Sequence, residues 1–141
     1  MIIEVCSQAR ALELAGSASA ATAFISITSK EEPDVVFPKN PHIVSILYLK
    51  FNDLTEGYDE EGIPYGRPLP KPEDFEGLRE FVNALSCKCL LIHCWEGRSR
   101  SAAVAKAVYE YRGSQDELRT ATNAFPNPLV YTLASRELFP R

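Results

Sequence analysis

One stretch of the chain combines a cysteine, a glycine and an arginine at a spacing that suits phosphate chemistry. It reads His-Cys-Trp-Glu-Gly-Arg-Ser-Arg-Ser at residues 93–101, with five residues between Cys94 and Arg100. A thiolate is a strong nucleophile. An arginine guanidinium is a planar fork that matches two phosphoryl oxygens, a geometry that lysine does not offer. The sequence therefore predicts that Cys94 attacks a phosphate ester whose oxygens are bound by Arg100.

The residues around this stretch predict a strand, a tight loop and a helix. Residues 89–93 form a short apolar run, typical of a buried strand, and residues 101–111 are rich in alanine and valine. We expect the backbone N–H groups of the loop to surround a small concavity, with Gly97 taking a conformation that other residues resist. The helix start adds free N–H groups and the positive end of its dipole. Such nests bind tetrahedral anions and lower a cysteine pKa from ~8.5 to roughly 3.5–7.5, so Cys94 is expected to be a thiolate.

The neighbours of the cysteine are expected to support it. Ser101 is placed to donate to the sulfur and to stabilise it as a leaving group, while His93 is expected to hold the backbone and tune the thiol. Trp95 is expected in the wall of the site, and the side chains of Glu96 and Arg98 are expected to point outward. The predicted substrate-binding surface is the loop itself, formed by Trp95, Glu96, Gly97, Arg98 and Ser99.

The nine-residue stretch resembles the signature loop of the dual-specificity branch of the protein tyrosine phosphatase superfamily. The pattern of that family is His-Cys, two residues, Gly, two residues, Arg, then Ser or Thr, and residues 93–101 match it throughout. The resemblance covers the chain from about Ile43 onward. It implies a protein tyrosine phosphatase-like fold, a cysteinyl-phosphate intermediate and no metal or other cofactor.

The resemblance also implies a general acid and a bracing asparagine. The family places an aspartate after an upstream strand, which makes Asp53 the candidate; its proton would go to the leaving oxygen. Asp59, in an acidic run, and Asp74, in the first turn of a helix, are rivals whose ordinary structural roles we favour. Asn127 matches an asparagine that braces the signature loop, although a simple turn role between two prolines fits nearly as well.

The rest of the chain predicts a single α/β domain over residues 1–141, with a mainly parallel central sheet flanked by helices. Strands are predicted at 2–6, 23–28, 43–51 and 89–93. A helix is predicted after Ser7 as its N-cap, with Gly16 past its end. Others are predicted from about Pro72 and over 101–111, and a last helix, separated by residues 126–128, is predicted to end near Leu138. Ser114 is predicted to begin one further helix through the capping-box pattern Ser-Gln-Asp-Glu.

Composition excludes some classes of function. The net charge of −4 disfavours nucleic-acid and anionic-membrane binding. No signal peptide or apolar run of ~20 residues is visible, so we expect a cytoplasmic protein with reduced thiols and no membrane contact, acting as a monomer. Cys87 and Cys89 lack the number and spacing of zinc ligands and are expected to be structural.

Three alternatives to a protein phosphatase stay open. A rhodanese-type sulfur transferase is disfavoured because its loop is typically shorter. A phosphoinositide or RNA 5′-phosphatase is disfavoured because Arg98 is the only extra basic residue in the loop. A non-catalytic phospho-binding module is disfavoured because the nucleophile, arginine and acid are all present. The predicted partner is a phosphorylated protein, and the loop over 54–72, with Tyr58, Tyr65 and Arg67, is the expected substrate wall.

Overall fold

The computed structural model describes residues 1–140. Five strands alternate in part with four α-helices, and a short 3₁₀ helix lies at Pro72–Phe75. The strands are β1 (Ile2–Ser7), β2 (Thr22–Thr28), β3 (Ile43–Lys50), β4 (Cys89–Cys94) and β5 (Glu117–Arg119). The helices are α1 (Gln8–Ser17), α2 (Leu78–Asn83), α3 (Arg100–Tyr111) and α4 (Pro128–Leu138).

All five strands belong to one parallel sheet in the order β3-β2-β4-β1-β5. β4 lies at the centre, where Ser7 at the end of β1 is opposite Cys94, and Ser26 near the end of β2 is opposite His93. Because every strand runs the same way, the carboxyl ends of all five meet along one edge, where α/β proteins commonly bind ligands. This edge positions the candidate site.

Both faces of the sheet are covered, because alternate residues of its strands point to opposite sides. Ile25 and Ile92 pack with α2, α3 and α4 in the larger core, whereas Phe24 and Leu91 pack with Ala11 of α1 on the other face. The predicted α/β class, with a parallel sheet flanked by helices, is confirmed. Cys94 belongs to the larger core, on the face that carries α3.

Two predicted helix boundaries differ from the structure for local reasons. Ser7 is the N-cap of α1 as predicted, its hydroxyl accepting from the Arg10 N–H at 3.1 Å, but the helix continues through Gly16 to Ser17. The helix predicted from Pro72 is two pieces, the 3₁₀ turn and α2. Gly77 separates them with φ of +88°, a left-handed conformation that cannot continue a helix.

The helix predicted to start at Ser114 is wrong. Ser114 itself has φ of +58°, and the following segment becomes strand β5 beside β1, with Glu117 N–H donating to the Met1 carbonyl at 3.1 Å. The Asp116 carboxylate binds Arg112 at 2.5 Å instead of belonging to a helical first turn. The capping-box residues are present, but the apolar periodicity of a helix does not follow them. The open edge of β1 instead supplies hydrogen-bond partners for the backbone of this segment.

The loop between β3 and the 3₁₀ helix is long but internally organised. Tyr58 pairs with Pro64 in an antiparallel bridge, and the Tyr65 N–H donates to the Gly57 carbonyl at 3.0 Å. The buried amide of Asn52 anchors the far end of the loop, donating to the Pro68 carbonyl at 3.1 Å. The loop predicted over 54–72 therefore holds a small hairpin at residues 57–65.

Of the helices formed by residues 1–140, none combines the length and apolarity needed to cross a bilayer.

Candidate active site

The candidate site lies where three neighbouring strands end. Cys94 is the last residue of β4, Ser29 directly follows β2, and Asp53 follows β3 by three positions. Arg100 begins α3 on the other side of the loop. A pocket of about 180 Å³ opens among them, lined by Asp53, Cys94, Trp95, Glu96, Arg98, Ser99 and Arg100.

Gly97 allows the loop to fold back against the end of β1. Its φ is +73°, and a Cβ built there would lie 2.4 Å from the Cys6 carbonyl carbon and 2.6 Å from the Ser7 nitrogen. No side chain fits this contact, so the position demands glycine on both conformational and steric grounds. The Gln8 N–H fastens the loop from the same side by donating to the Trp95 carbonyl at 3.2 Å.

The backbone N–H groups of the loop are not used in backbone pairing. Within residues 1–140, the N–H groups of residues 96–99 donate to no backbone carbonyl, and that of Gly97 is directed at the Cys94 sulfur. The first N–H groups of α3 add to them, because a helix start has no internal acceptors. This arrangement has the form of the backbone nests that bind anions at helix N-termini.

Cys94 lies at the floor of the nest and is almost fully buried. Burial by itself raises the pKa of its thiol, but hydrogen bonds from the Ser101 side chain, from the backbone of Ser101 and Gly97, and the charge of Arg100 outweigh it. The net effect lowers the pKa of Cys94 below its ordinary value. The Ser101 Oγ lies 3.1 Å from the Cys94 Sγ, within hydrogen-bond distance of a thiolate.

Arg100 is held rigidly at the back of the site. Its Nη1 donates to the Ser29 Oγ at 3.1 Å and to the Phe51 carbonyl at 3.2 Å, so the ends of β2 and β3 both fix the guanidinium. Its Nε is buried and makes no hydrogen bond within the described chain. An unpaired buried donor costs about 1–3 kcal/mol. An anion that accepts from this Nε would remove that cost.

Asp53 is tied to the loop and to α4 through one oxygen. Its Oδ1 accepts from the Ser99 hydroxyl at 2.8 Å and from the Asn127 Nδ2 at 2.9 Å. Within residues 1–140 its Oδ2 accepts no hydrogen bond. The carboxylate is exposed and forms part of the pocket wall. The structure thus brings Asp53 into the same pocket as Cys94.

The two rival aspartates are engaged elsewhere. Asp59 Oδ1 accepts the N–H groups of Glu61 and Ile63, both at 2.9 Å, in the turn of the hairpin. Asp74 Oδ1 binds Lys30 Nζ at 2.5 Å, and its Oδ2 accepts the Lys71 N–H at 2.9 Å. Neither aspartate lines the pocket that contains Cys94.

His93 faces away from the pocket, on the side of the sheet that carries α1. Its Nε2 lies 2.7 Å from the Ser26 Oγ, and its ring is 6.0 Å from that of Phe37. Its Nδ1 lies 3.4 Å from the Cys94 carbonyl. Burial lowers the pKa of His93 and outweighs the hydrogen bond to the Cys94 carbonyl, which raises it, while the charge of Arg100 adds to the lowering. The ring therefore braces the backbone at Cys94.

The rim of the pocket carries the more exposed residues of the loop. Trp95 is 62% exposed and forms part of the wall. Glu96 and Arg98 also line the pocket, with largely exposed side chains that lie 3.6 Å apart as an ion pair. Of the loop residues expected to form a substrate wall, Tyr65 lines an adjoining pocket, whereas Tyr58 and Arg67 line neither.

Three supporting groups were not predicted: Ser26, Ser29 and the Phe51 carbonyl. Ser26 and Ser29 lie at the end of β2, which is beside β4, and Phe51 follows β3, the next strand outward. Strand order would have placed them at the same sheet edge as Cys94, but the order β3-β2-β4 is not readable from one sequence. Within residues 1–140, no three His, Cys, Asp or Glu side chains are grouped so that they could hold a metal ion.

Comparison of the chain with models of known protein families, with curated proteins and with solved structures finds no match in any of the three.

Proposed function

We propose that this protein is a cysteine-dependent phosphomonoester hydrolase with the fold and mechanism of the dual-specificity branch of the protein tyrosine phosphatases. The observation that carries the proposal is that Cys94, Arg100 and Asp53 line the same pocket. The parallel sheet, with the cysteine at the end of its central strand and the arginine at the start of the next helix, supports the proposed fold.

In the first step, the Cys94 thiolate attacks the phosphorus atom. A sulfur–phosphorus bond forms, the ester bond to the leaving oxygen breaks, and a proton from Asp53 passes to that oxygen. The charge on the transferring phosphoryl group is bound by the free N–H groups of the loop and by Arg100. The unpaired Nε of Arg100 is the donor available for a phosphoryl oxygen.

In the second step, a water molecule releases the phosphate. The Asp53 carboxylate takes a proton from the water as its oxygen attacks phosphorus, and the sulfur–phosphorus bond breaks. The departing thiolate receives the hydrogen bond of Ser101, whose Oγ lies 3.1 Å from the sulfur. The net reaction converts a phosphate ester and water into an alcohol or phenol and inorganic phosphate, with no cofactor.

A phosphorylated protein is the proposed substrate class. The chain carries a net charge of −4, and Arg98, the one extra basic residue of the loop, is paired with Glu96. Highly charged substrates such as phosphoinositides require more positive charge at the site than this. A single phosphate on a protein side chain matches the one nest and the one free guanidinium edge.

Turnover of p-nitrophenyl phosphate tests the proposal. We expect the wild type to release nitrophenol, and Cys94→Ser to lose turnover while it still binds inorganic phosphate in calorimetry. Cys87→Ser removes a partly exposed cysteine outside the pocket and is the matched control, with turnover retained. Persistent turnover by Cys94→Ser would refute the covalent mechanism, and a wild type that binds phosphate without hydrolysis would be a binding module.

A further inference from the structure

A second pocket adjoins the phosphate pocket and shares two of its residues. Asp53 and Ser99 line both, so the two pockets meet at the candidate acid. The second pocket has a volume of about 270 Å³, and we call it the flanking pocket. Its other walls include Glu56, Tyr65, Phe125 and Pro128. A ligand held by its phosphate at Cys94 would extend past Asp53 toward this pocket.

The flanking pocket exposes aromatic surface. Phe125 is 79% exposed and Tyr65 is 43% exposed, although both have large apolar rings. Exposed apolar surface beside a polar cleft marks interaction sites, because covering it removes apolar area from water. Leu54 and Pro128 extend the apolar lining.

Two backbone hydrogen bonds hold the flanking pocket in place against the phosphate loop. The Phe125 N–H donates to the Arg98 carbonyl at 2.8 Å, and the Asn127 N–H donates to the Ser99 carbonyl at 3.2 Å. These bonds fix the distance between the phosphate loop and the backbone of Phe125, which carries the exposed ring. A fixed distance of this kind selects ligands by what lies next to their phosphate.

The charges of the two pockets differ. Among the described residues that line the flanking pocket, the charged ones are Asp53 and Glu56, both acidic, whereas the phosphate pocket has Arg98 and Arg100 beside Asp53 and Glu96. A second phosphate or an acidic side chain would meet repulsion in the flanking pocket. This disfavours a nucleic-acid chain and a phosphoinositide, and it favours an uncharged apolar group.

We infer that the flanking pocket binds an apolar side chain next to the phosphorylated residue of a protein substrate, an inference that rests on the proposed phosphatase function. Phe125 and Tyr65 contact that side chain, and Glu56 discriminates against an acidic neighbour. The site thereby selects substrates by the residue next to the phosphorylated one as well as by the phosphate itself.

Phosphopeptide turnover tests this inference. Two series, one with phosphotyrosine and one with phosphothreonine, carry Leu, Ala or Asp at the position before or after the phosphorylated residue. We expect kcat/KM for Leu to exceed that for Asp by about tenfold on one side of the phosphate, given the apolar area that the pocket offers. Phe125→Ser should bring this ratio toward one, and Glu56→Gln should raise turnover of the Asp peptides alone.

The control and the contrary outcomes separate this inference from the proposed function. Phe139→Ser removes another exposed phenylalanine, at the far end of α4, and should keep the wild-type ratio. Equal turnover of the Leu and Asp peptides, or a preference for Asp, would overturn the inference while leaving the phosphatase intact. Turnover of a 5′-phosphorylated RNA or a phosphoinositide, with all peptides inert, would also overturn it. No turnover of any of these or of p-nitrophenyl phosphate would instead refute the proposed function.

Discussion

The Nδ2 of Asn127 donates to the Oδ1 of Asp53 at 2.9 Å, joining residues that lie 74 positions apart in the chain. The same amide donates to the Leu54 carbonyl, and its Oδ1 accepts the N–H groups of Leu129 and Val130 at the start of α4. One buried side chain therefore fixes both the candidate acid and the N-terminus of a helix. Because both donors to Asp53 bind Oδ1, the proposed mechanism places the transferred proton on Oδ2.

Substitution of Asn127 should separate these two roles. Asn127→Ala removes the cap and the donor, and we expect it to lose about 2 kcal/mol of unfolding free energy, most of it the cap. Asn127→Ser retains a capping hydroxyl but cannot reach Asp53, so it should keep more of the stability. Both variants should lose kcat with aryl phosphates to a similar extent. Urea unfolding and steady-state kinetics measure the two effects, and a kcat that followed stability alone would assign Asn127 a purely structural role.

Asp53→Asn should slow substrates according to their leaving groups. A general acid contributes roughly 10²–10⁴-fold when the leaving oxygen needs a proton, and little when it does not. We therefore expect a loss of about 100-fold or more for phenyl phosphate and a much smaller one for p-nitrophenyl phosphate.

Asp59→Asn is the matched control for this experiment, since that carboxylate belongs to the hairpin turn. It should leave the ratio between the two substrates at the wild-type value. A leaving-group effect in Asp59→Asn, with none in Asp53→Asn, would move the acid to Asp59.

Gly97→Ala should damage the loop far more than a glycine replacement elsewhere. Its Cβ would collide with the backbone of Cys6 and also require a left-handed conformation. We expect a loss of about 2–5 kcal/mol together with loss of phosphate binding. Gly62→Ala has a similar φ of +80° but open space around the Cβ, so it should cost only about 1–2 kcal/mol. Equal losses in urea unfolding would show that sterics at Cys6 do not matter.

The local part of the site could be predicted from the sequence. A strand, a loop and a helix in succession place Cys94, Gly97 and Arg100 by chain connectivity alone, and the structure has that succession. The contacts that hold Arg100 could not be predicted in this way. Ser29 lies 71 residues away from it and Phe51 lies 49 away, so their approach depends on strand order.

The incorrect helix at Ser114 has the same kind of cause. A capping pattern is a local signal, whereas β5 exists because the edge of β1 offers hydrogen bonds to a distant segment. The local sequence motif predicted the start of a helix, but strand pairing in the folded protein makes this segment a β-strand. The flanking pocket also escaped prediction, because its walls come from the hairpin loop and from the segment before α4, which only the fold brings together.

Ser101→Ala should make Cys94 harder to ionise. The Ser101 side chain is the largest of the influences that lower the pKa of Cys94, opposing the effect of burial. Loss of its hydrogen bond should raise that pKa, so the midpoint of alkylation by iodoacetamide should move to higher pH. Mass spectrometry of the Cys94 peptide separates its alkylation from that of the other thiols. Cys6, the other buried cysteine, should react little, because burial raises the pKa of its thiol to about 12.

Ser17→Ala provides the control for the alkylation experiment, because Ser17 lies at the end of α1 and its hydroxyl bonds the Glu13 carbonyl. It should leave the alkylation midpoint where it is in the wild type. A midpoint that is also unchanged in Ser101→Ala would mean that the loop backbone and Arg100 alone set the ionisation of Cys94.

His93 should make stability depend on pH on the acid side of neutrality. Burial, with help from the charge of Arg100, lowers the pKa of His93 in the folded state, whereas an unfolded histidine titrates near ~6.5. Below that pH the unfolded chain binds a proton that the folded chain does not, so the free energy of unfolding falls, by at most about 1.4 kcal/mol per pH unit. His93→Gln lacks this contribution. The stability advantage of the wild type over His93→Gln, measured by urea unfolding, should therefore shrink between pH 7.5 and pH 5.5, and an advantage that stayed constant would show that His93 is protonated equally in both states.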